Sequence, residues 1–323
     1  MSFASQCALV TGAAGFIGSH VVDRLLAMGV NVVGYDNLST GQERFLSHLA
    51  GNPRFRLVRG DILDETALPA AMAGVDFVFH LAANADVRGG QRNPNIDLEQ
   101  NTVGTHRVLE AMRKTGVRRI AFTSSATVYG EPTVFPTPED CPLIQTSTYG
   151  ASKAAAEEFI EAYCEFYDFQ AWMFRFVSFL GERYPHGVVF DFLKKLRVTP
   201  GELEILGDGT ARKSYLHVTD ALDGFFTAIS KTDGAKSIFN VGNTEYLDVR
   251  AVADVICESA GVRGVRYRFT GGARGWKGDS PFVHLDISRL QALGWRPQLT
   301  ISEAIRRTVV YLQANEWLLD ARK

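Results

Sequence analysis

A chain of 323 residues with 46% apolar residues is long enough for two domains, or for one large domain with an elaboration, and apolar enough for a sizeable core. Its net charge of −2, from 34 basic and 36 acidic residues, excludes an electrostatic footprint for nucleic acid. Four scattered cysteines and seven histidines form no metal-type cluster, no stretch approaches the ~18 apolar residues of a membrane span, and the first strand starts too near Met1 for a signal peptide, so a cytoplasmic protein without a metal is expected.

In chain order, an apolar strand over residues 7–10 runs into Thr11-Gly12-Ala13-Ala14-Gly15-Phe16-Ile17-Gly18, and a helix is predicted over about 16–28. Gly12 permits the tight turn, Gly15 lets a pyrophosphate approach the backbone, and Gly18 lets the helix pack close to its strand. The helix N-terminus, at Phe16 and Ile17, offers N–H groups and a positive dipole end to phosphates. The next strand, 31–35, closes on Asp36, where an acidic side chain recognises a ribose 2′-hydroxyl. Asp36 repels a 2′-phosphate and no Arg or Lys adjoins it in the sequence, so the expected dinucleotide is NAD rather than NADP.

The turn Asn37-Leu38-Ser39-Thr40-Gly41 leads to a helix at 43–49, and a third strand at 55–58 ends at Gly60-Asp61-Ile62. A fourth strand, 75–80, ends at Leu81-Ala82-Ala83, and a long helix is predicted over 96–115. A fifth, 119–122, ends at Thr123-Ser124-Ser125; a helix over 149–167 and a sixth strand over 171–176 follow. Small and polar residues gather at the strands' carboxyl ends, the edge where open α/β sheets bind ligands. Beyond Phe176 the alternation loosens into turn-rich stretches at 181–187, 199–212 and 271–281, with a strand at 237–241 and a final helix at 302–319. The expected fold is α/β: a Rossmann-like doubly wound parallel sheet with a smaller C-terminal substrate-binding lobe and the substrate in the cleft between them. Residues 1–176 form the dinucleotide domain, 214–245 return to it, and 177–213 with 246–323 form the lobe.

Tyr149-Gly150-Ala151-Ser152-Lys153 places a phenol and an ammonium at i and i+4 on one helix face. Such a pair also fits ordinary surface amphipathicity. Next to a glycine loop and a serine at a strand end, it suits proton abstraction from a sugar hydroxyl, because a neighbouring ammonium and an oxidised nicotinamide both lower the phenol's pKa.

With these residues in place, the chain resembles the extended short-chain dehydrogenases/reductases of the NAD-dependent epimerase/dehydratase group, over essentially its whole length. The matching segments are the glycine loop, Asp36-Asn37-Leu38-Ser39, Gly60-Asp61, His80-Leu81-Ala82-Ala83, Asn101, Ser124 to Gly130, Tyr149 with Lys153, Lys213 to Val218, and Arg274 to Asp279. The resemblance implies that Asp61 and Ile62 contact adenine, Leu81 to Ala83 line the pyrophosphate, and Asn101 supports the cofactor pocket. Gly41, Thr123 and Phe176 are further expected cofactor contacts. Lys153 would bond the nicotinamide ribose, and Ser125 would hold the substrate hydroxyl against Tyr149. Ser125, Ser178, Arg183, His186, Val188, Lys213, Arg274 and Asp279 are the expected substrate contacts.

Two departures bear on the substrate. Lys213 stands where the family commonly has an arginine, so the bidentate fork is lost unless Arg212 compensates. Ser178 stands where epimerases typically have an asparagine, which is reminiscent of UDP-glucuronate 4-epimerases, with Arg183 and His186 either facing a carboxylate or solvated in a loop. Val283 falls where a bulky residue restricts the pocket in some epimerases, so a 2-acetamido group fits the pattern as well. Ala126 and Thr127 replace the acidic residues that dehydratases and decarboxylases use. The resemblance therefore implies a nucleotide-sugar 4-epimerase with tightly bound NAD and a transient 4-keto sugar, acting on UDP-glucose and UDP-galactose or their N-acetyl forms. UDP-glucuronate 4-epimerase is the alternative, and a non-catalytic NAD-binding sensor or scaffold the alternative of another class. It also implies a homodimer through a four-helix bundle of the 96–115 and 149–167 helices, with Val108, Met112, Phe159 and Tyr163 either at that interface or against the sheet.

Overall fold

The computed structural model describes residues 6–321, which fall into two compact units. The first comprises residues up to 130, 142–175 and 224–239; the second comprises 131–141, 176–223 and the chain from 240 onward.

The first unit is built on β1 (Cys7–Thr11), β2 (Asn31–Asp36), β3 (Phe55–Arg59), β4 (Phe77–His80), β5 (Arg119–Thr123), β6 (Gln170–Phe176) and the strand Lys236–Val241. These form one seven-stranded parallel sheet, ordered from the Lys236–Val241 strand through β6, β5, β4, β1 and β2 to β3. Helices cover both faces, so the strands read as continuous apolar runs: Ala8, Leu9 and Val10 of β1 and Phe77, Val78 and Phe79 of β4 are all buried. The order reverses between β1 and β4, and there the carboxyl ends diverge and a ligand has room. α1 (Phe16–Ala27) follows β1 directly.

The predicted helix over 96–115 is three pieces in one run: Pro94–Asp97, a π-turn at Leu98–Val103, and Gly104–Thr115. Val108 and Met112 lie fully in the core against the sheet, whereas Phe159 of the Thr148–Tyr167 helix is exposed with Phe166 and Tyr167.

The second unit carries three small sheets. Ser178–Leu180 pairs in parallel with Tyr215–His217, and Glu202–Ile205 with Arg266–Phe269. Arg212–Lys213 runs antiparallel to Leu247–Asp248 and parallel to Phe282–Val283. Helices Val188–Val198, Val249–Ser259 and Ile301–Ala314 enclose its core. The predicted final helix is broken: a Thr300–Glu303 capping box starts Ile301–Ala314, Asn315 ends it, and a short helix, Trp317–Ala321, follows.

The unit boundary differs from the sequence expectation at three places. Residues 131–141 join the second unit because Thr137 accepts from Asn240 Nδ2 (2.9 Å) and donates its N–H to His284 (2.8 Å). Phe176 joins it too, stacked on Phe179 at 4.3 Å. Of the 214–245 segment, only 224–239 belongs to the first unit, so the boundary passes inside the helix Val218–Lys231 and inside the strand Lys236–Val241.

Candidate active site

The turn after β1 is a tight backbone cradle. Gly12 has φ +69°, and a side chain there would stand 2.9 Å from the Ala82 nitrogen; at Gly18 a Cβ would fall 1.9 Å from the Gly12 carbonyl oxygen. The N-cap of α1 is Gly15, which puts no side chain over the first N–H groups, and the first turn holds no acidic residue. That end of the helix is open to an anion.

Asp36 is buried, and both its oxygens are fixed: Oδ2 accepts from the Ala14 N–H (2.9 Å) and Oδ1 from the Leu38 N–H (2.8 Å). Burial pushes its carboxyl up, and the two N–H donors oppose that shift. Gly41 packs on the carboxylate, where a Cβ would lie 2.9 Å from Oδ1. Asn37 donates to Asp61 Oδ2 (2.9 Å), so the ends of β2 and β3 are tied together, and Ser39 N–H turns back onto Asn37. Ile62 is buried against Gly104. One neighbour escapes the linear sequence: Arg59, the last residue of β3, is in register beside Asp36 with its side chain exposed.

A chain of hydrogen bonds joins β1 and β4. The Thr11 hydroxyl accepts from the Leu81 and Ala82 N–H groups (3.1 Å each) and so gives its own hydrogen to His80 Nδ1 (2.8 Å). His80 Nε2–H then donates to Thr105 Oγ1 (3.1 Å), and that hydroxyl donates to the Asn101 carbonyl (2.5 Å). This order requires a neutral imidazole. Burial first, and then the Lys153 charge, lower the His80 pKa to about 3.

Tyr149 and Lys153 are both buried on the Thr148–Tyr167 helix. Lys153 Nζ donates to the Thr123 carbonyl (2.9 Å) and lies 4.8 Å above the Phe122 ring, which leaves two N–H donors for other acceptors. Burial lowers the Lys153 pKa to about 8, against Glu157 and Asp97, which raise it. Ser125 caps the Ala126–Tyr129 turn, receiving the Thr127 N–H (3.2 Å) and hydroxyl (3.0 Å), and it hydrogen-bonds Tyr149. Burial acts on the phenol against the expected direction. Burial first and Asp97 second push the Tyr149 pKa up, and the Ser125 hydrogen bond opposes them without prevailing.

Asn101 is buried as a bridge. Its Oδ1 accepts from the Asn84 N–H (2.8 Å), and its Nδ2 donates to Ser152 Oγ (2.9 Å). Sequence reasoning quoted Thr11 and His80 within matching segments without giving them a role, and missed Asn84, Asp97 and Thr148. The one available signal was the i, i+4 spacing of Asp97 and Asn101.

The expected substrate residues lie in the second unit, apart from Ser125. Lys213 and Asp279 pair with each other (2.5 Å), and Arg274 pairs with Glu131, its Nη2 standing 2.7 and 2.8 Å from the two carboxylate oxygens. The Arg212 guanidinium lies over the Phe282 ring (4.4 Å) and near Tyr246 (5.5 Å). Ser178 is exposed at the start of its strand, Arg183 has φ +64°, and His186 stacks on Tyr184. Val188 begins the Val188–Val198 helix behind Gly187, and Val283 is in register with Lys213.

Residues 8–242 match the model of the NAD dependent epimerase/dehydratase family. The chain belongs to that family. A UDP-glucose 4-epimerase of Mycolicibacterium smegmatis is 37% identical over 324 aligned residues, covering 94% of this chain and 98% of the relative. A crystal structure of a UDP-galactose 4-epimerase is 38% identical with a TM-score of 0.86, covering 96% and 100% of the two chains. A UDP-glucuronic acid 4-epimerase from Bacillus cereus, solved with UDP-glucuronic acid and NAD, is 26% identical with a TM-score of 0.87, covering 96% and 99%. Family neighbours of the same fold also include dehydratases.

As a member of the epimerase/dehydratase family the protein is a sugar-nucleotide enzyme that uses NAD. The residues present fit that cofactor: a glycine cradle that side chains would fill, an uncovered helix N-terminus, and a buried acid with lone pairs left for a ribose diol. No helix among the described residues is long and apolar enough to cross a membrane.

Proposed function

We propose that the protein is a 4-epimerase interconverting UDP-glucose and UDP-galactose, acting as a cytoplasmic homodimer. The observation that carries this reading is the buried Ser125–Tyr149–Lys153 group with Ala126 and Thr127 beside it. Thr127 spends its hydroxyl on Ser125, and neither neighbour can shuttle the additional proton that elimination or decarboxylation requires. Epimerisation at C4 needs one proton taken from, and returned to, one oxygen.

Gly12 to Gly18 and Asp36 would hold the pyrophosphate and adenosine ribose, Asp61 and Ile62 the adenine, and Lys153 the nicotinamide ribose. NAD, when bound, supplies the redox chemistry by accepting and returning the hydride of C4. Ser125 holds the 4-hydroxyl against Tyr149, and the phenol removes its proton and restores it. Burial raises the Tyr149 pKa, and a bound cofactor's positive charge would oppose that rise. The second unit binds the nucleotide and sugar through Ser178, Lys213, Arg274 and Asp279, with the ion pairs of Lys213 and Arg274 opening to the diphosphate. The exposed Phe159, Phe166 and Tyr167 supply the dimer surface.

A second reading, UDP-glucuronate 4-epimerase, is favoured by Ser178 and by Arg183 five residues on. Both readings are tested by kcat/KM for UDP-glucose, UDP-N-acetylglucosamine and UDP-glucuronate with products separated, in the parent, Arg183→Ala and His186→Ala. Glucose turnover indifferent to both substitutions supports the first. A loss of roughly 1.5–3 kcal/mol in transition-state stabilisation confined to glucuronate establishes the second.

A further inference from the structure

Asp97 is a fully buried carboxylate near the Tyr149–Lys153 pair for which the proposed reaction has no use. It ends the Pro94–Asp97 turn, where the π-turn begins, and the widened π-turn keeps Asp97 and Asn101 on one side. Its Oδ1 accepts from Asn84 Nδ2 (2.8 Å), and its Oδ2 accepts from Thr148 Oγ1 (2.6 Å). The Gly89–Arg92 turn closes over this contact. A Cβ on Gly90 would stand 2.3 Å from Asp97 Oδ2 and 2.2 Å from Thr148 Oγ1.

Both hydrogen-bond donors are neutral. A carboxylate removed from water with only neutral donors is costly, and the protein holds it next to a buried ammonium and phenol. The Asn84 that clamps it also donates its backbone N–H to Asn101, whose amide reaches Ser152 on the Tyr149 helix. The loop after β4 is thus tied twice to the first turns of that helix, at Thr148 and at Ser152.

The charged and titratable groups facing the pair are few. Glu157 lies one turn beyond Lys153 and is held by Arg175 of β6, which also donates to the Tyr129 hydroxyl. His80 of β4 is neutral. From the other packed elements, Arg92 turns to Asp86, Glu99 is exposed, and Glu110 is taken by Arg113 and Tyr163. Among the described residues, only Asp97 adds a negative charge that acts on both Tyr149 and Lys153.

We propose that Asp97 is a positioning residue for the Tyr149–Lys153 pair: its sealed carboxylate clamps the first turn of their helix to the loop after β4 and adds, beside Glu157, a second negative charge against which the Lys153 ammonium is held. The turnover part of this inference rests on the epimerase reading, and the charge part does not.

The test uses [13C]lysine-labelled protein as purified, with the Lys153 resonance assigned by its absence in Lys153→Met. In Asp97→Asn the Lys153 titration midpoint falls by roughly one pH unit, because an opposing charge has gone. Bound NAD is retained, and kcat drops about tenfold or more with little change in KM. Thr148→Val keeps the charge and loses the clamp, so its midpoint stays while kcat falls. A midpoint unmoved in Asp97→Asn overturns the charge role, and parental turnover in Thr148→Val overturns the clamp. If the parent turns over no sugar nucleotide, the epimerase reading fails, and the Lys153 midpoint still decides Asp97.

Discussion

His80 and Lys153 are cations in water and reluctant ones here, and the penalty has a readable sign. The unfolded chain protonates a histidine near its ordinary value of ~6.5, whereas the folded protein holds His80 neutral down to about 3. Between those limits the unfolded state binds the extra proton. Stability contributed by His80 is therefore fully present above ~6.5 and drains away as the pH falls toward 3. His80→Gln keeps an acceptor for Thr11 and a donor for Thr105, and it should flatten the fall of Tm across that window while lowering Tm at pH 8; thermal unfolding across a pH series measures both. Lys153 acts in the same direction higher up, with stability rising as the pH climbs from about 8 toward the ordinary lysine value of ~10.4. Tyr149→Phe should leave Tm and bound NAD near parental levels and remove most turnover, since only a proton carrier is lost; near-normal turnover would remove Tyr149 from the mechanism. Glu157 is a different case. Its carboxylate takes three Arg175 contacts of 2.6–3.1 Å in a buried pair, so Glu157→Ala strands a guanidinium and should cost about 3–5 kcal/mol in urea unfolding.

At the scale of elements, the glycine loop with its flanking strand and helix was readable because its signals are local. Periodicity, a turn and an acidic residue 20-odd positions on all fall within one βαβ unit. Tyr149 and Lys153 were readable for the same reason, since i, i+4 is a helix property. Lys213–Asp279 and Arg274–Glu131 were not, because only tertiary folding brings residues 66 and 143 positions apart together. The two-residue strands Arg212–Lys213, Leu247–Asp248 and Phe282–Val283 are too short for alternation to register, which is why the chain after Phe176 looked irregular. Their neighbours Val188–Val198, Val218–Lys231 and Val249–Ser259 were overlooked among the surrounding turns. The π-turn leaves no trace in a 3.6-residue pattern. The loop's geometry makes its own prediction: Gly18→Ala drives a methyl into the Gly12 carbonyl, and the purified protein should lose its NAD, assayed by denaturing it and quantifying released dinucleotide.

For the whole molecule, the proposed dimer has a surface to test. Phe166 is 76% exposed on the Thr148–Tyr167 helix, with Phe159 and Tyr167 beside it on the same element. Such aromatic exposure is costly for a monomer and ordinary at an interface. Phe166→Glu should shift light scattering from a dimer to a monomer mass at micromolar concentration, and a parent already monomeric there would rule the dimer out.

The central sheet also sets a schedule for synthesis. Its edge beyond β6 is filled by the strand Lys236–Val241, and Phe174 of β6 stacks on Phe225 (4.2 Å) and Phe239 (6.4 Å) from the same late stretch. A ribosome delivers the glycine loop, Tyr149 and Lys153 before any of these. Until residue 239 emerges, the nascent chain presents an open apolar strand edge, for several seconds at ~5–20 residues per second. A chain terminated at Arg175 never leaves that interval. Although it contains nearly every residue expected to hold the dinucleotide, it should partition into the insoluble fraction, whereas one carried through to the end of that strand has its edge closed.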